Sequence, residues 1–214
     1  DQAGVRKHEE LAQRYAPRAP HLLALLYEDY KSHGDMAGAI SYLKKGFNKY
    51  SDFPFFFPRL VDYYSSQNQL DTVKHIVDKA IEMEPGNQFY RIAQNNLQLN
   101  MGDYDACIAL GDSLIHTNDK IAEAYFNVGS SYFNKAIERD QRNDALKQRR
   151  KEVNELYAKA MPYLERYRSL RRKAVRRWAP MLYSIYLNLN KGQEFDEIDR
   201  LLKSVENSKV SKKR

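Results

Sequence analysis

Apolar and aromatic residues recur along this chain at a fixed period, so the repeat is the first thing the pattern yields. Four rows of 34 residues start at Pro20, Pro54, Gln88 and Ala122. The fourth position of each row holds Leu23, Phe57, Arg91 and Tyr125. The seventh holds Leu26, Leu60, Gln94 and Val128, and the eleventh Tyr30, Tyr64, Gln98 and Tyr132. Spacings of three and four place such side chains on one face of a helix. The fifteenth position reads Gly34, Asn68, Gly102 and Ala136. Gly and Asn tolerate the left-handed conformation that ends a helix, so the first three rows each predict a helix, a tight turn and a second helix. The twentieth position holds Ala39, Val73 and Cys107. Small residues there and at position 8 let two antiparallel helices approach closely, while bulkier ones fill the gaps between them. A single hairpin cannot bury both of its faces, so the pattern predicts stacked hairpins.

The two ends and one insertion complete this outline. Residues 3–15 are amphipathic and stop at Pro17 and Pro20, which predicts the second helix of a preceding repeat. After Tyr132 the period breaks: the small residue due nine positions on comes only at Ala160, and Leu164 then takes position 24. The 19 extra residues are rich in Arg, Asn, Gln and Glu, with sparse apolar sites at Ile137, Leu146 and Val153. Two lengthened helices meeting over 141–144 are expected, with Asn143 or Asp144 as N-cap. About ten added residues in each would carry this hairpin roughly 15 Å beyond its neighbours. Trp178 to Leu202 reads as a last pair turning at 191–193. The expected organisation is one array over 1–206: a helix at 3–15, repeats at 20–53, 54–87 and 88–121, a lengthened repeat at 122–172, and a terminal pair at 175–206. A basic tail, 207–214, is expected to fray.

These rows resemble the tetratricopeptide repeat (TPR), whose 34-residue pattern sets Trp, Leu, Gly and Tyr, then Ala, Phe and Pro, at fixed offsets. In the fourth row Tyr125, Val128, Gly129 and Tyr132 stand at the family's aromatic, leucine, glycine and tyrosine sites. The second row matches through Phe57, Leu60, Tyr64, Ala80 and Pro85. The third departs most, with Arg91, Gln94, Asn95 and Gln98 where apolar or small residues are expected; its phase and Gly102 keep it in register. The long fourth hairpin and the Trp-containing last pair, over 122–202, are similar to a group of exported bacterial TPR proteins.

The resemblance implies an all-α TPR-type solenoid, a right-handed superhelix of antiparallel helix pairs, that holds another protein and catalyses nothing. It also implies that ligands lie in a concave groove lined by each first helix, at repeat positions 2, 5, 9 and 12. Carried over, this groove includes Phe55, Asp62, Phe89, Ile92, Asn96, Leu99, Phe126, Ser130 and Phe133. Asn96 and Asn127 match the asparagines with which some members clamp a carboxylate, but Ile92 stands where the clamp's lysine should be. The clamp is therefore not expected. An apolar or amphipathic segment of a protein is the partner such a surface suits. Coverage of these rings by neighbouring helices is the competing reading, and self-association through the groove is a third.

Charge adds an alternative. Between Arg139 and Arg177 there are 14 Lys or Arg against 5 Asp or Glu, while the whole chain is only +7, so the remainder is net −2. The tightest run is Arg166, Arg168, Arg171, Arg172, Lys173, Arg176 and Arg177. Such a run suits nucleic acid, an anionic surface or an acidic partner. No nucleic-acid motif accompanies it, so a solvated helix face is the preferred reading. The five histidines, His8, His21, His33, His75 and His116, are dispersed. No metal-ligand spacing, phosphate loop or nucleophile elbow occurs, so no catalytic residue, metal or cofactor is expected. Cys107 is the one cysteine and occupies a small packing site, where an inert buried thiol is expected. No apolar stretch reaches the length of a membrane span. The chain begins at Asp1 rather than Met, which is expected of a processed chain or of a piece cut from a longer one. Removal of an export signal fits the former, and a periplasmic location is preferred over a cytoplasmic one.

Overall fold

The computed structural model describes residues 20–142 and 145–211, with side chains as far as Val205. The helix expected at 3–15, the N-cap at Asn143 or Asp144 and the last tail residues, 212–214, lie outside the described residues. The described residues form helices joined by turns, with no strand among them. They divide into two compact units, Asp1–Tyr90 and Arg91–Arg214.

The first unit contains α1 (Pro20–Ser32), α2 (Met36–Lys49), α3 (Phe56–Ser66) and α4 (Leu70–Met83). Gly34 and Asn68 sit between the members of each pair at φ +82° and +55°, the left-handed conformation predicted for position 15. The chain then re-enters a helix at once: the Asp35 carboxylate accepts the Gly38 N–H at 2.9 Å and caps α2. Leu26, Ala39, Leu43, Phe47, Phe57, Leu60, Val73, Val77 and Ala80 are buried and form the core. Tyr90 closes its end, with its ring 4.7 Å from Phe57 and its hydroxyl donating to the Ser51 carbonyl at 2.7 Å.

The second unit takes α5 (Gln88–Met101) from its fourth residue on, followed by α6 (Tyr104–Thr117), α7 (Ala122–Asp140), α8 (Leu146–Leu170), α9 (Val175–Asn188) and α10 (Gly192–Ser211). Gly102 turns the chain between α5 and α6 at φ +78°. Ala136, at the corresponding place in the fourth row, is fully buried inside α7, and the helix runs on. The added residues are not shared equally. α7 has 19 residues and α8 has 25, against 14 each in α5 and α6, so α8 takes the larger part. Arg139 and Glu152 join the two lengthened helices in an ion pair, and Arg149 pairs with Asp140 at 3.5 Å.

Packing between α7 and α8 depends on Gly129. A Cβ there would lie 2.7 Å from Leu164 Cγ, closer than real contacts allow, and 3.3 Å from the Leu164 backbone nitrogen, tighter than most. Leu164 and Ala160 are fully buried. The core continues through Tyr157, Tyr167, Trp178, Leu182, Ile185 and Ile198. The last turn falls earlier than 191–193, because Asn190 takes the left-handed conformation (φ +54°) and α10 already begins at Gly192. α10 then extends to Ser211, through most of the segment expected as a tail. Among the described residues, no helix is long and apolar enough to cross a membrane.

Candidate functional site

In the first unit, Phe55 stands just before α3 and is half-buried. Its ring lies 5.7 Å from Tyr27 and 5.5 Å from Phe56, and the Arg59 guanidinium covers its face at 3.6 Å. Arg59 is itself held by the Phe55 carbonyl at 3.2 Å and by Glu28 at 3.8 Å. Asp62 is exposed further along α3. Phe89 differs from both: it is an aromatic ring with 50% of its surface in solvent. The ring is braced edge-on by Phe57 at 5.6 Å and by Tyr90 at 6.0 Å. Its backbone is fixed as well, since the Asn87 side chain accepts the Phe89 N–H at 3.0 Å at the start of α5.

Phe89, Ile92, Asn96 and Leu99 follow one another along α5 at intervals of three, four and three, which makes them one stripe of that helix. Within the second unit Ile92 packs against Leu114, Ile121 and Ala124 and is only half-buried. Asn96 and Leu99 are half-buried too.

The remaining predicted positions are held inside the second unit. Asn127, 1% exposed, donates to Asn95 Oδ1 at 2.9 Å and to Asn96 Oδ1 at 2.6 Å. Asn95 in turn donates to the Cys107 carbonyl at 2.7 Å, and Ser131 Oγ donates to the Asn127 carbonyl at 2.8 Å. This network explains the irregular third row. Asn95 occupies position 8, where a small residue is usual, and hydrogen bonds to the small-site residue Cys107 replace apolar packing there. Burial pushes the Cys107 thiol up, away from its reactive form. Ser130 is 4% exposed, with its hydroxyl directed at Met181 Sδ at 3.7 Å. As folded, Asn127 and Ser130 therefore offer little to a ligand in solution.

Phe126 and Phe133 are half-buried against α8, 5.0 Å from Tyr167 and 5.5 Å from Tyr157. The Arg177 guanidinium also lies over Phe126 at 4.0 Å. For these two rings the structure places neighbouring helices against the surface expected to be free. On the same side of the sequence, Tyr163 donates to Asp112 Oδ1 at 2.9 Å. Burial first, then that hydrogen bond and the Asp112 charge, push its phenol up to about 12.

The basic run is partly neutralised by carboxylates distant in sequence. Arg166 pairs with Asp119 at 3.5 Å, Arg177 with Glu123 at 3.0 Å, and Arg168 with Glu197. Arg171, Arg172, Lys173 and Arg176 are exposed, with no carboxylate partner among the described residues. Also among the described residues, no group of three His, Cys, Asp or Glu is placed to hold a metal ion.

No family model matches the sequence, and no curated protein matches it. Solved structures do match. The chain is similar to the MamA RS-1 ArsTM double mutant at TM-score 0.64 and 12% identity, over 90% of this chain and 97% of that one. It is similar to MamA of Desulfovibrio magneticus RS-1, taken from residue 41 onward, at TM-score 0.62 and 13% identity, over 86% and 96%. A monomeric mutant of IFIT1 with Gppp-AAAA aligns at TM-score 0.65 and 12% identity, over 94% of this chain but 45% of that longer one. At these identities the likeness shows the fold. The described residues have the all-helical, tetratricopeptide-type repeat fold that the 34-residue period indicates.

Proposed function

We propose that this chain is an interaction scaffold that holds a segment of another protein along the α5 stripe and performs no chemistry on it. The observation that carries this reading is Phe89, half exposed yet braced by two aromatic neighbours and anchored by Asn87. A large ring already fixed in its bound orientation loses little entropy when a partner covers it, so it can supply a large share of the binding energy. Ile92 and Leu99 continue the apolar stripe, and Asn96 offers a polar group midway. Asp62, and Phe55 beneath Arg59, are the other candidate contact residues of the first unit, to which Phe89 belongs. The segment expected is amphipathic, with apolar side chains matching the spacing of Phe89, Ile92 and Leu99. Support for a non-catalytic role comes from the buried thiol of Cys107 and the dispersal of the histidines along the sequence.

Phe89→Ala is the decisive substitution. The ring is half exposed, so its loss should cost the fold only about 1–1.5 kcal/mol, while binding of a partner protein should fall by roughly tenfold or more. Phe126→Ala is a poorer probe, because it also removes contacts with Tyr167 and Arg177 inside the second unit. Unchanged partner affinity in a folded Phe89→Ala protein would remove the basis of the assignment.

A further inference from the structure

The seven cations of the basic run do not act alike. Three are taken up by Asp119, Glu197 and Glu123. The other four, Arg171, Arg172, Lys173 and Arg176, gather in the turn between α8 and α9 and the first turn of α9. The N-terminal end of the α9 dipole adds to the positive potential there. Beside them opens a cleft of about 660 Å³ within the second unit, between the C-terminal part of α8, α9 and α10, and Arg172 belongs to its wall.

The cleft has an apolar side formed by Val175, Trp178 and Leu201. Trp178 is held rigidly: its indole N–H donates to the Arg171 carbonyl at 3.3 Å, and the Arg168 guanidinium lies 5.2 Å from the ring. The polar side is mostly satisfied. Tyr186 donates to Glu165 at 2.8 Å, and Glu197 pairs with Arg168. The cleft therefore combines an apolar recess with Arg172 in its wall, while Arg171, Lys173 and Arg176 stand beside Arg172 in the same turn and the start of α9, outside the lining.

We propose that the cationic turn between α8 and α9, together with the cleft that Arg172 borders, forms a second docking surface, which takes an acidic peptide segment of a partner protein. One or two carboxylates of that segment pair with Arg171, Arg172, Lys173 and Arg176, and an adjacent apolar side chain enters the recess beside Val175 and Leu201. The carboxylates of Glu165, Glu194 and Glu197 distinguish this occupant from a nucleic acid. A phosphate backbone is negative at every step and would meet them, whereas a peptide places its charges one at a time. The surface is built from residues other than those of the α5 stripe, so it stands or falls independently of that assignment.

Fluorescence anisotropy with labelled probes tests the proposal. The probes are an otherwise neutral peptide with two separated Glu residues flanking one central Leu, the same peptide with Ser at the centre, and an oligothymidylate of matched length. The intact chain should bind the Leu peptide about tenfold more tightly than the Ser peptide, as expected for burying one apolar side chain. Arg172→Glu combined with Arg176→Glu should weaken both peptides by about tenfold or more at low salt. Ser169→Trp, which fills the cleft from its exposed wall, should erase the preference for Leu while leaving the Ser peptide unchanged. Failure of the unaltered chain to bind either acidic peptide would overturn the proposal. Equal or tighter binding of the oligothymidylate would overturn it in favour of nucleic acid, and an unchanged affinity in the charge-reversed variant would also overturn it.

Discussion

Alanine in place of Gly129 tests the packing on which the second unit depends. Two effects oppose each other. Alanine is the better helix former by about 1 kcal/mol. Against that, its Cβ would sit 2.7 Å from Leu164 Cγ and 3.3 Å from the Leu164 backbone nitrogen. A side-chain atom can rotate away, but the backbone nitrogen moves only if α7 and α8 separate, and overpacking of this kind costs about 1–3 kcal/mol. The net effect should be a destabilisation of up to about 2 kcal/mol, lowering the midpoint by up to roughly 8 °C. Trp178 is the chain's one tryptophan and is 2% exposed within the same unit, so its emission reports the relevant transition. Leu164→Ala alone should cost about 2–5 kcal/mol by opening a cavity. If the contact is the cause, the double variant should lose less than the sum of the two single losses. A raised midpoint in Gly129→Ala would show that helix propensity outweighs the contact, and would refute this account of how α7 and α8 approach.

Three further outcomes are expected. Asn127→Ala should destabilise the second unit by about 1–3 kcal/mol in urea titrations followed by Trp178 emission, because it strips a donor from the buried Asn95. The phenol of Tyr163, raised in the folded state from 10 to about 12, keeps its proton longer folded than unfolded; stability should therefore fall as pH rises from about 10 to 12, and Tyr163→Phe should flatten that slope. Cys107 should react with a thiol reagent only as fast as the second unit opens, since it is fully buried and its thiol is pushed up; rapid labelling under native conditions would contradict that placement.

The sequence conveys the repeat because each of its marks has a local physical cause. Gly34, Asn68 and Gly102 announce left-handed turns, and Phe57, Leu60 and Val77 reach the core through helical spacing alone. Ala160 and Leu164 resume the packing pattern after the insertion for the same reason. What stays hidden depends on partners distant along the chain. Asn95 looks like a defect in the third row until Asn127, 32 residues on, supplies its hydrogen bond. Arg168 reads as a free cation until Glu197 closes on it. The groove positions carried over from the family are likewise uneven. Position alone cannot show that α8 packs on Phe126 and Phe133, or that Asn127 and Ser130 turn inward, while Phe89 remains open. The division of the insertion between α7 and α8 escapes for another reason: a polar segment carries too few apolar marks to locate the turn.

The most direct test of the scaffold assignment is quantitative capture of partners from nuclease-treated lysate at low and moderate salt. It should compare the unaltered chain with Phe89→Ala after confirming equal helicity and similar thermal midpoints. The account predicts a discrete protein retained through nuclease and salt by the unaltered chain and lost with Phe89→Ala. The same protein retained equally by both, or capture that disappears with nuclease, would contradict it.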